Sequence, residues 1–273
     1  MRRLEHFYDA LPRDSARTEE FGSLVLFIAE DSGWPFYARP RPDSPTPPTA
    51  ADVRAVRARQ RDLGLPEAFE WVHENTPELL HIARSAGLSV LEAPLMVLNP
   101  ADLPAPAELP RVPVRLVDPT APNFATDIAI RRAVANLGFS AAGTAVGRAG
   151  PADRDAHLVP LTPADAEEEQ QRAQTGGRLS ALAELPGQGA LASGTAMRVG
   201  DIAEIAGIAT LPAARRRGLG AAVTATLARR LVETGCEVVF LSAGSEEIAR
   251  VYQRVGFHRI GTACIAEPGR VIA

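Results

Sequence analysis

The sequence predicts an α/β chain with a mixed sheet, built as two domains. Three observations predict it. Strand-like apolar runs alternate with helical patterns along the whole chain. The stretch Asp201–Gly220, DIAEIAGIATLPAARRRGLG, reads as a buried strand that enters a helix through a turn rich in arginine and glycine. The segment Asn99–Pro113 carries five prolines and marks the best domain boundary. A length of 273 residues suits one large domain or two modest ones. The expected division is a smaller α/β domain over 1–110 and a larger domain over 111–273.

Within the first half, residues 1–20 are polar, with Phe7, Tyr8 and Leu11 packing a short helix. Gly22–Ala29 holds the run Leu24-Val25-Leu26-Phe27-Ile28 and reads as a strand. A second strand candidate follows Gly33, over Trp34–Ala38. Its aromatics either line a site or pack a small core, and the core is the simpler reading. Arg39–Pro48 carries five prolines and reads as an exposed loop. Thr49-Ala50-Ala51-Asp52 resembles a capping box, and Val53, Val56, Gln60 and Leu63 then trace a helix to Gly64. Phe69–His73 reads as a short strand. A helix opens at Thr76-Pro77 and runs through Leu79, Leu80, Ile82 and Ala83 to Gly87. Leu88–Leu98 is a further strand.

Beyond the proline segment, Val112–Val117 reads as a strand. Phe124–Leu137 reads as a helix with Ile128, Ile130, Val134 and Leu137 on it. Gly143–Pro160 reads as irregular. Thr162-Pro163 opens a helix whose acids, Asp165–Glu169, suit its dipole and read as a solvated face rather than a binding site. Arg178–Leu185 and Ala190–Val199 form an antiparallel pair around Pro186-Gly187-Gln188-Gly189. Asp201–Leu211 makes the third strand of this meander, and Pro212, which has no N–H to donate, ends it. Ala221, Val223, Leu227, Leu231 and Val232 then recur at helical spacing, with Gly235 as C-cap. A strand over Val238–Ala243, a helix over Glu246–Val255 and a strand over His258–Ala266 close the chain. The order in this half is β-α-α-β-β-β-α-β-α-β.

The turn Arg215-Arg216-Arg217-Gly218-Leu219-Gly220 carries the chemistry. Glycines let backbone N–H groups approach a ligand closely, and the start of the next helix adds partial positive charge. Together they form a cradle for phosphate oxygens, and three arginines beside it call for a strongly anionic ligand. The dinucleotide fingerprint G-x-G-x-x-G fails, because its third glycine position is Val223. The P-loop fails as well, because it needs a lysine and the chain has none.

The spacing that fits is Arg/Gln-x-x-Gly-x-Gly/Ala, as Arg215-x-x-Gly218-x-Gly220. With the strand before it, the helix after it, a second strand, and Tyr252 followed by Gly256-Phe257, the sequence resembles the GNAT superfamily of acyl-CoA-dependent N-acyltransferases. The element order matches, and the resemblance spans roughly 112–268. It implies the GNAT fold for the C-terminal domain and acetyl-CoA as the cofactor. The pyrophosphate would lie on Arg215, Arg216, Arg217, Gly218, Leu219, Gly220 and Ala221. The pantetheine arm would pair with the backbone of Ile208, Ala209 and Thr210. Gly207 marks either a bulge that frees those groups or a site of close packing.

The same resemblance implies two catalytic residues. Glu204, fourteen residues before Gly218, matches the glutamate that acts as base in several members. Its other reading is an edge carboxylate paired to an arginine such as Arg198. Tyr252 matches the tyrosine that faces the coenzyme sulfur as general acid. Its other reading is a tyrosine packing helix on sheet. The family pattern Asn-x-x-Ala-x-x-Leu/Phe-Tyr is altered here. Ser245 stands for the Asn, Ile248 for the Ala and Val251 at the apolar position, and Ser245 keeps a hydroxyl able to reach the cofactor. The N-terminal half reads as a degenerate, non-catalytic GNAT-like domain. After Phe69–His73 it has Glu74-Asn75-Thr76-Pro77, without a glycine turn, and Glu74 would repel a pyrophosphate.

The expected activity is transfer of an acetyl group from acetyl-CoA to a primary amine, by direct attack in a ternary complex. The alternative is a non-catalytic acyl-CoA-binding sensor or partner-binding module. The expected acceptor is a small molecule or a peptide amine, and a homodimer is allowed for. A net charge of −4 argues against nucleic-acid binding by bulk electrostatics. Two cysteines and five scattered histidines predict no metal site. The N-terminus has no apolar leader and no stretch reaches membrane-spanning length, so a cytoplasmic protein with no membrane partner is the expectation.

Overall fold

The apolar runs bounded by glycine, proline and acidic residues fold as strands, and the 3.6-period runs fold as helices. The computed structural model describes residues 1–29, 37–105, 112–141 and 143–269. The chain divides into two compact units, Met1–Leu95 with Ile260–Ala273, and Met96–Arg259. The expected division at 110 and 111 differs from this in two ways. The proline segment lies inside the second unit, with 106–111 outside the described residues. The end of the last strand belongs to the first unit.

The first unit contains α1 (Arg2–Ala10), β1 (Ala16–Phe21), β2 (Leu24–Ala29), β3 (Ala38–Pro40), α2 (Ala50–Asp62), β4 (Phe69–Val72), α3 (Glu78–Ser85) and most of β5 (Leu88–Leu98). Its strand order is β1-β2-β3-β4-β11-β5, where β11 is Phe257–Pro268. β11 enters because Ala263–Ala266 pairs antiparallel with Phe69–Val72. β1 was not expected. Arg17, Glu19 and Glu20 keep it from reading as a strand, yet it pairs along its full length with apolar β2 around Gly22. A sheet edge with one wet face tolerates such a sequence. α2 starts in a complete capping box: Thr49 Oγ1 accepts from the Asp52 N–H and Asp52 accepts from the Thr49 N–H. The core is Leu24, Leu26, Val53, Val56, Phe69, Trp71, Leu79 and their neighbours. The strand expected over Trp34–Ala38 lies largely outside the described residues, and β3 begins at its end. β3 also removes Arg39 and Pro40 from the expected exposed loop, since both are buried.

The second unit contains β6 (Val114–Leu116), α4 (Phe124–Ser140), α5 (Pro151–Ala156), α6 (Pro163–Gln174), β7 (Arg178–Leu185), β8 (Gly189–Val199), β9 (Ile202–Thr210), α7 (Leu219–Glu233), β10 (Val238–Ser242), α8 (Glu246–Gln253) and the start of β11. Its strand order is β10-β9-β8-β7-β6. All pairs are antiparallel except β9 with β10. Helix α5 falls in the stretch expected to be irregular. It starts with Pro151 in its first turn and the Asp153 carboxylate on the Gly150 N–H.

β8 is the centre of this unit. Its run Ala190–Ala196 is buried and, apart from Leu191, made of small residues, so helices approach both faces closely. Ser193 Oγ donates to the Arg131 carbonyl of α4. On the other face, a Cβ at Gly194 would meet Val223 of α7 at 2.8 Å and Ile208 at 2.3 Å. Glu169 corrects the reading of the α6 acids as a solvated face. It is buried and carries Arg132 and Arg178 at 3.0 Å, with Arg131 at 3.6 Å. A lone buried carboxylate is costly, and three guanidiniums from α4 and β7 compensate it.

Candidate active site

The site begins where β9 and β10 part. Their parallel register pairs Ile202–Glu204 with Val238–Phe240. β9 continues beyond that to Thr210. Its pairing with β8 shifts between Ser193 and Thr195, opposite Gly207, whose φ is 62°. This is a bulge, which settles the two readings of Gly207. It bends β9 and interrupts the ladder at Gly207–Ile208, after which Ala209 and Thr210 pair again with Ser193 and Ala192. Ile208, Ala209 and Thr210 line a cavity of about 570 Å³.

The turn after β9 forms the adjoining wall. Pro212–Ala214 makes a 3₁₀ turn, Arg216 has φ 65°, and Gly218 sits left-handed at φ 76° as the N-cap of α7. Among the described residues, no side chain caps that helix. Its first N–H groups therefore keep the unmet donor capacity of a helix start, beside the positive end of the dipole. Gly218, Leu219, Gly220 and Ala221 all line the cavity. A glycine at 220 keeps the approach open beside Ile208 and Thr210, whose nearest atoms lie 3.6 and 3.7 Å from where a Cβ would stand.

Arg215 lines the cavity, and its guanidinium is turned to the protein's own backbone. Its guanidinium donates to three carbonyls: Gly138 and Ala141 at 2.7 Å and Ala145 at 3.1 Å. These are the end of α4 and the loop behind it, where orphan carbonyls and the negative dipole end favour a cation. Arg215 thus fixes the wall formed by Gly138, Phe139 and Ala141. Arg216 points its guanidinium to Glu247 Oε1 at 3.4 Å, and the Thr144 hydroxyl donates to the same oxygen. Arg217 is exposed and does not line the cavity.

Helix α8 and its C-cap supply a further wall, with Glu247, Ile248, Arg250, Val251, Tyr252 and the capping Arg254. Tyr252 is buried, and its ring meets Phe257 edge-on at 6.3 Å between centroids. Burial pushes its phenol up to about 12, so it holds its proton at neutral pH. Packing and cavity lining are both true of this tyrosine. Ser245 accepts from the Ile248 N–H at 3.2 Å as the N-cap of α8 and does not line the cavity. Glu204 is 7% exposed on β9, at the last residue of the β9–β10 pairing, and does not line the cavity either. Arg198, its suggested partner, donates to the carbonyls of Gly200 and Thr234.

Sequence reasoning missed Glu247, Arg250 and Arg254. Their signal was available in the helical spacing that places 247, 250 or 251, and 254 on one stripe of α8. The residues present fit an acyl-CoA. There is an uncapped helix N-terminus for a pyrophosphate, a bulged strand with backbone groups for an amide-bearing arm, and a protonated phenol on the α8 wall. Among the described residues, no group of three or more His, Cys, Asp or Glu is placed to hold a metal ion. No described helix is long and apolar enough to cross a membrane.

A family model described as FR47-like protein matches residues 187–266, which run from the β7–β8 turn to β11. No curated protein matches the chain. Among solved structures, the chain is similar to a GCN5-related N-acetyltransferase from Kribbella flavida, with TM-score 0.69 and 24% identity, covering 99% of this chain and 96% of that one. It is also similar to a GCN5-related N-acetyltransferase from Sphaerobacter thermophilus, with TM-score 0.55 and 15% identity over 91% of this chain and 82% of that one. A tandem GNAT protein from the clavulanic acid biosynthesis pathway gives TM-score 0.53 and 14% identity over 90% and 79% of the two chains. The chain thus shares the fold of these structures along nearly its whole length, and the family match falls on the segment that builds the glycine turn and α8.

Proposed function

We propose that the chain is an acyl-CoA-dependent N-acyltransferase that moves an acetyl group from acetyl-CoA to a primary amine by direct attack in a ternary complex. The observation that carries this reading is the split between β9 and β10, opening beside the α7 glycine turn with Tyr252 on the α8 wall. Bound acyl-CoA supplies a thioester, a carbonyl open to an amine and a sulfur that can leave. The N–H groups of Gly218–Ala221 and the Arg216 guanidinium bind its phosphates. Backbone groups of Ile208, Ala209 and Thr210 hold the arm in strand-like fashion. Tyr252, buried and protonated on the cavity wall, would hold the proton that the leaving thiolate needs. Glu204, at the vertex of the split, is the proposed acceptor of the amine proton. Arg215 and Ser245 position the walls from behind.

The first unit, on this reading, does not bind the cofactor. In the corresponding turn after β4, Glu74 accepts from the Thr262 N–H at 3.1 Å and Pro77 starts α3. That turn carries a carboxylate where the other carries glycines. One observation favours the second reading, a non-catalytic acyl-CoA sensor: Glu204 does not line the cavity.

The test is calorimetry with acetyl-CoA, followed by thiol release and product mass across a panel of aminoglycosides, polyamines, amino acids and peptides. Binding with turnover of an amine supports the transferase. Tight binding without turnover of any amine favours the sensor, and no binding removes both.

A further inference from the structure

Four arginines line the cavity, and they are not equivalent. Arg215 is committed to three carbonyls, and Arg216 meets Glu247. Arg250 on α8 and Arg254, the C-cap one turn later, also line it, and neither guanidinium has a hydrogen-bond or ion-pair partner among the described residues. The carboxylate on their stripe, Glu247, is already shared by Thr144 and Arg216. The chain as a whole is acidic, with a net charge of −4. These two exposed, unpaired cations line the same cavity as the glycine turn and leave it capacity for a further anionic group of the ligand.

The α7 N-terminus satisfies a pyrophosphate. Coenzyme A carries one more phosphate, the monoester on its ribose 3′ oxygen. From this we infer that Arg250 and Arg254 form a second anion subsite that reads the 3′-phosphate, so that the protein selects coenzyme A over its 3′-dephospho form. The inference rests on the cofactor reading above. A guanidinium fork matches a phosphate monoester with paired, charge-assisted hydrogen bonds. At a solvent-facing wall such a pair gives discrimination on the order of tenfold, equivalent to about 1.4 kcal/mol.

The experiment is titration calorimetry of coenzyme A and 3′-dephospho-coenzyme A against the full chain, at one fixed ionic strength. Wild type and Arg250→Gln/Arg254→Gln are compared, with circular dichroism to confirm folding. The expected result is a preference for coenzyme A of about tenfold in wild type, falling to near one in the double variant. Equal affinity of wild type for the two ligands would overturn the subsite and leave the cofactor reading standing. A double variant that weakens both ligands alike would also overturn it, because the two arginines would then act only as general charge. If wild type binds neither ligand, the cofactor reading falls and the subsite falls with it.

Discussion

The guanidinium of Arg215 donates to the carbonyl of Gly138 at 2.7 Å, across 77 residues of sequence. That bond joins the turn before α7 to the end of α4. Two further carbonyls, of Ala141 and Ala145, share the same side chain. Replacing Arg215 by Ala should leave those carbonyls short of donors and cost about 1–3 kcal/mol of stability in urea unfolding. Lysine should not rescue it, because an ammonium lacks the flat fork that reaches several carbonyls. Acetyl-CoA affinity should fall with the loss of the wall, and native stability in Arg215→Lys would count against this role.

Arg216 holds a left-handed backbone at φ 65°, which costs a residue with a Cβ about 1 kcal/mol. A strained residue beside a cavity suggests a use for its side chain. Arg216→Gly should therefore raise the melting temperature slightly and weaken acetyl-CoA binding, two effects of opposite sign. Weaker binding with lower stability would remove the strain account.

Gly218→Asp should abolish cofactor binding while the unit stays folded. The new side chain would be strained at φ 76°, and its carboxylate would sit at the start of α7 where a phosphate belongs. Thermal shift with coenzyme A measures it. An undiminished shift in the folded variant would show that the turn is not the cradle.

Tyr252→Phe should lower kcat by roughly 10²-fold with little change in cofactor affinity, since the packing ring remains. Burial raises the phenol, so its protonated form belongs to the folded state. Its contribution to stability is present below the unfolded value of about 10 and is lost as pH rises toward about 12. Any alkaline limb of the rate profile due to Tyr252 thus lies above the range where a surface tyrosine titrates. An alkaline limb below pH ~9 that survives in Tyr252→Phe would belong to another group.

Glu169→Ala should be among the most destabilising changes in the second unit, by about 3–5 kcal/mol, because it strands three guanidiniums. Burial pushes this carboxyl up, and Arg178, Arg131 and Arg132 more than offset it, so the net direction is down. Its share of stability is present above the ordinary carboxylate pKa and lost as pH falls through the lowered one. Denaturant midpoints between neutral and acid pH should converge for wild type and variant.

Local chemistry made the strand–turn–helix legible. Proline after Thr210, glycine at 218 and 220 and the apolar spacing of α7 each act within a few residues. Gly207 was legible as a special position, but only its register against β8 showed a bulge. The bonds of Arg215 were not legible for the opposite reason: its three acceptors lie 70 to 77 residues away and carry no side-chain signal. Glu169 read as wet because it ends the acidic run that opens α6, and nothing local reports that Arg131 and Arg178 come to meet one face of it. Ser245 read as a cofactor contact from its family position, while its own position before Glu246-Glu247 is that of an N-cap. β1 was hidden because its charged residues suit a sheet edge as well as a loop.

The second unit is contiguous, Met96–Arg259, whereas the first takes one of its strands from beyond residue 259. During synthesis residues 1–95 emerge before residues 263–266, the partner that covers β4 between Phe69 and Val72. The ordinary order, N-terminal unit first, is thereby inverted: the middle of the chain can complete its sheet before the beginning can. A ribosome stalled short of Ala263 would hold a first unit with an open edge, and C-terminal truncation would injure the N-terminal half.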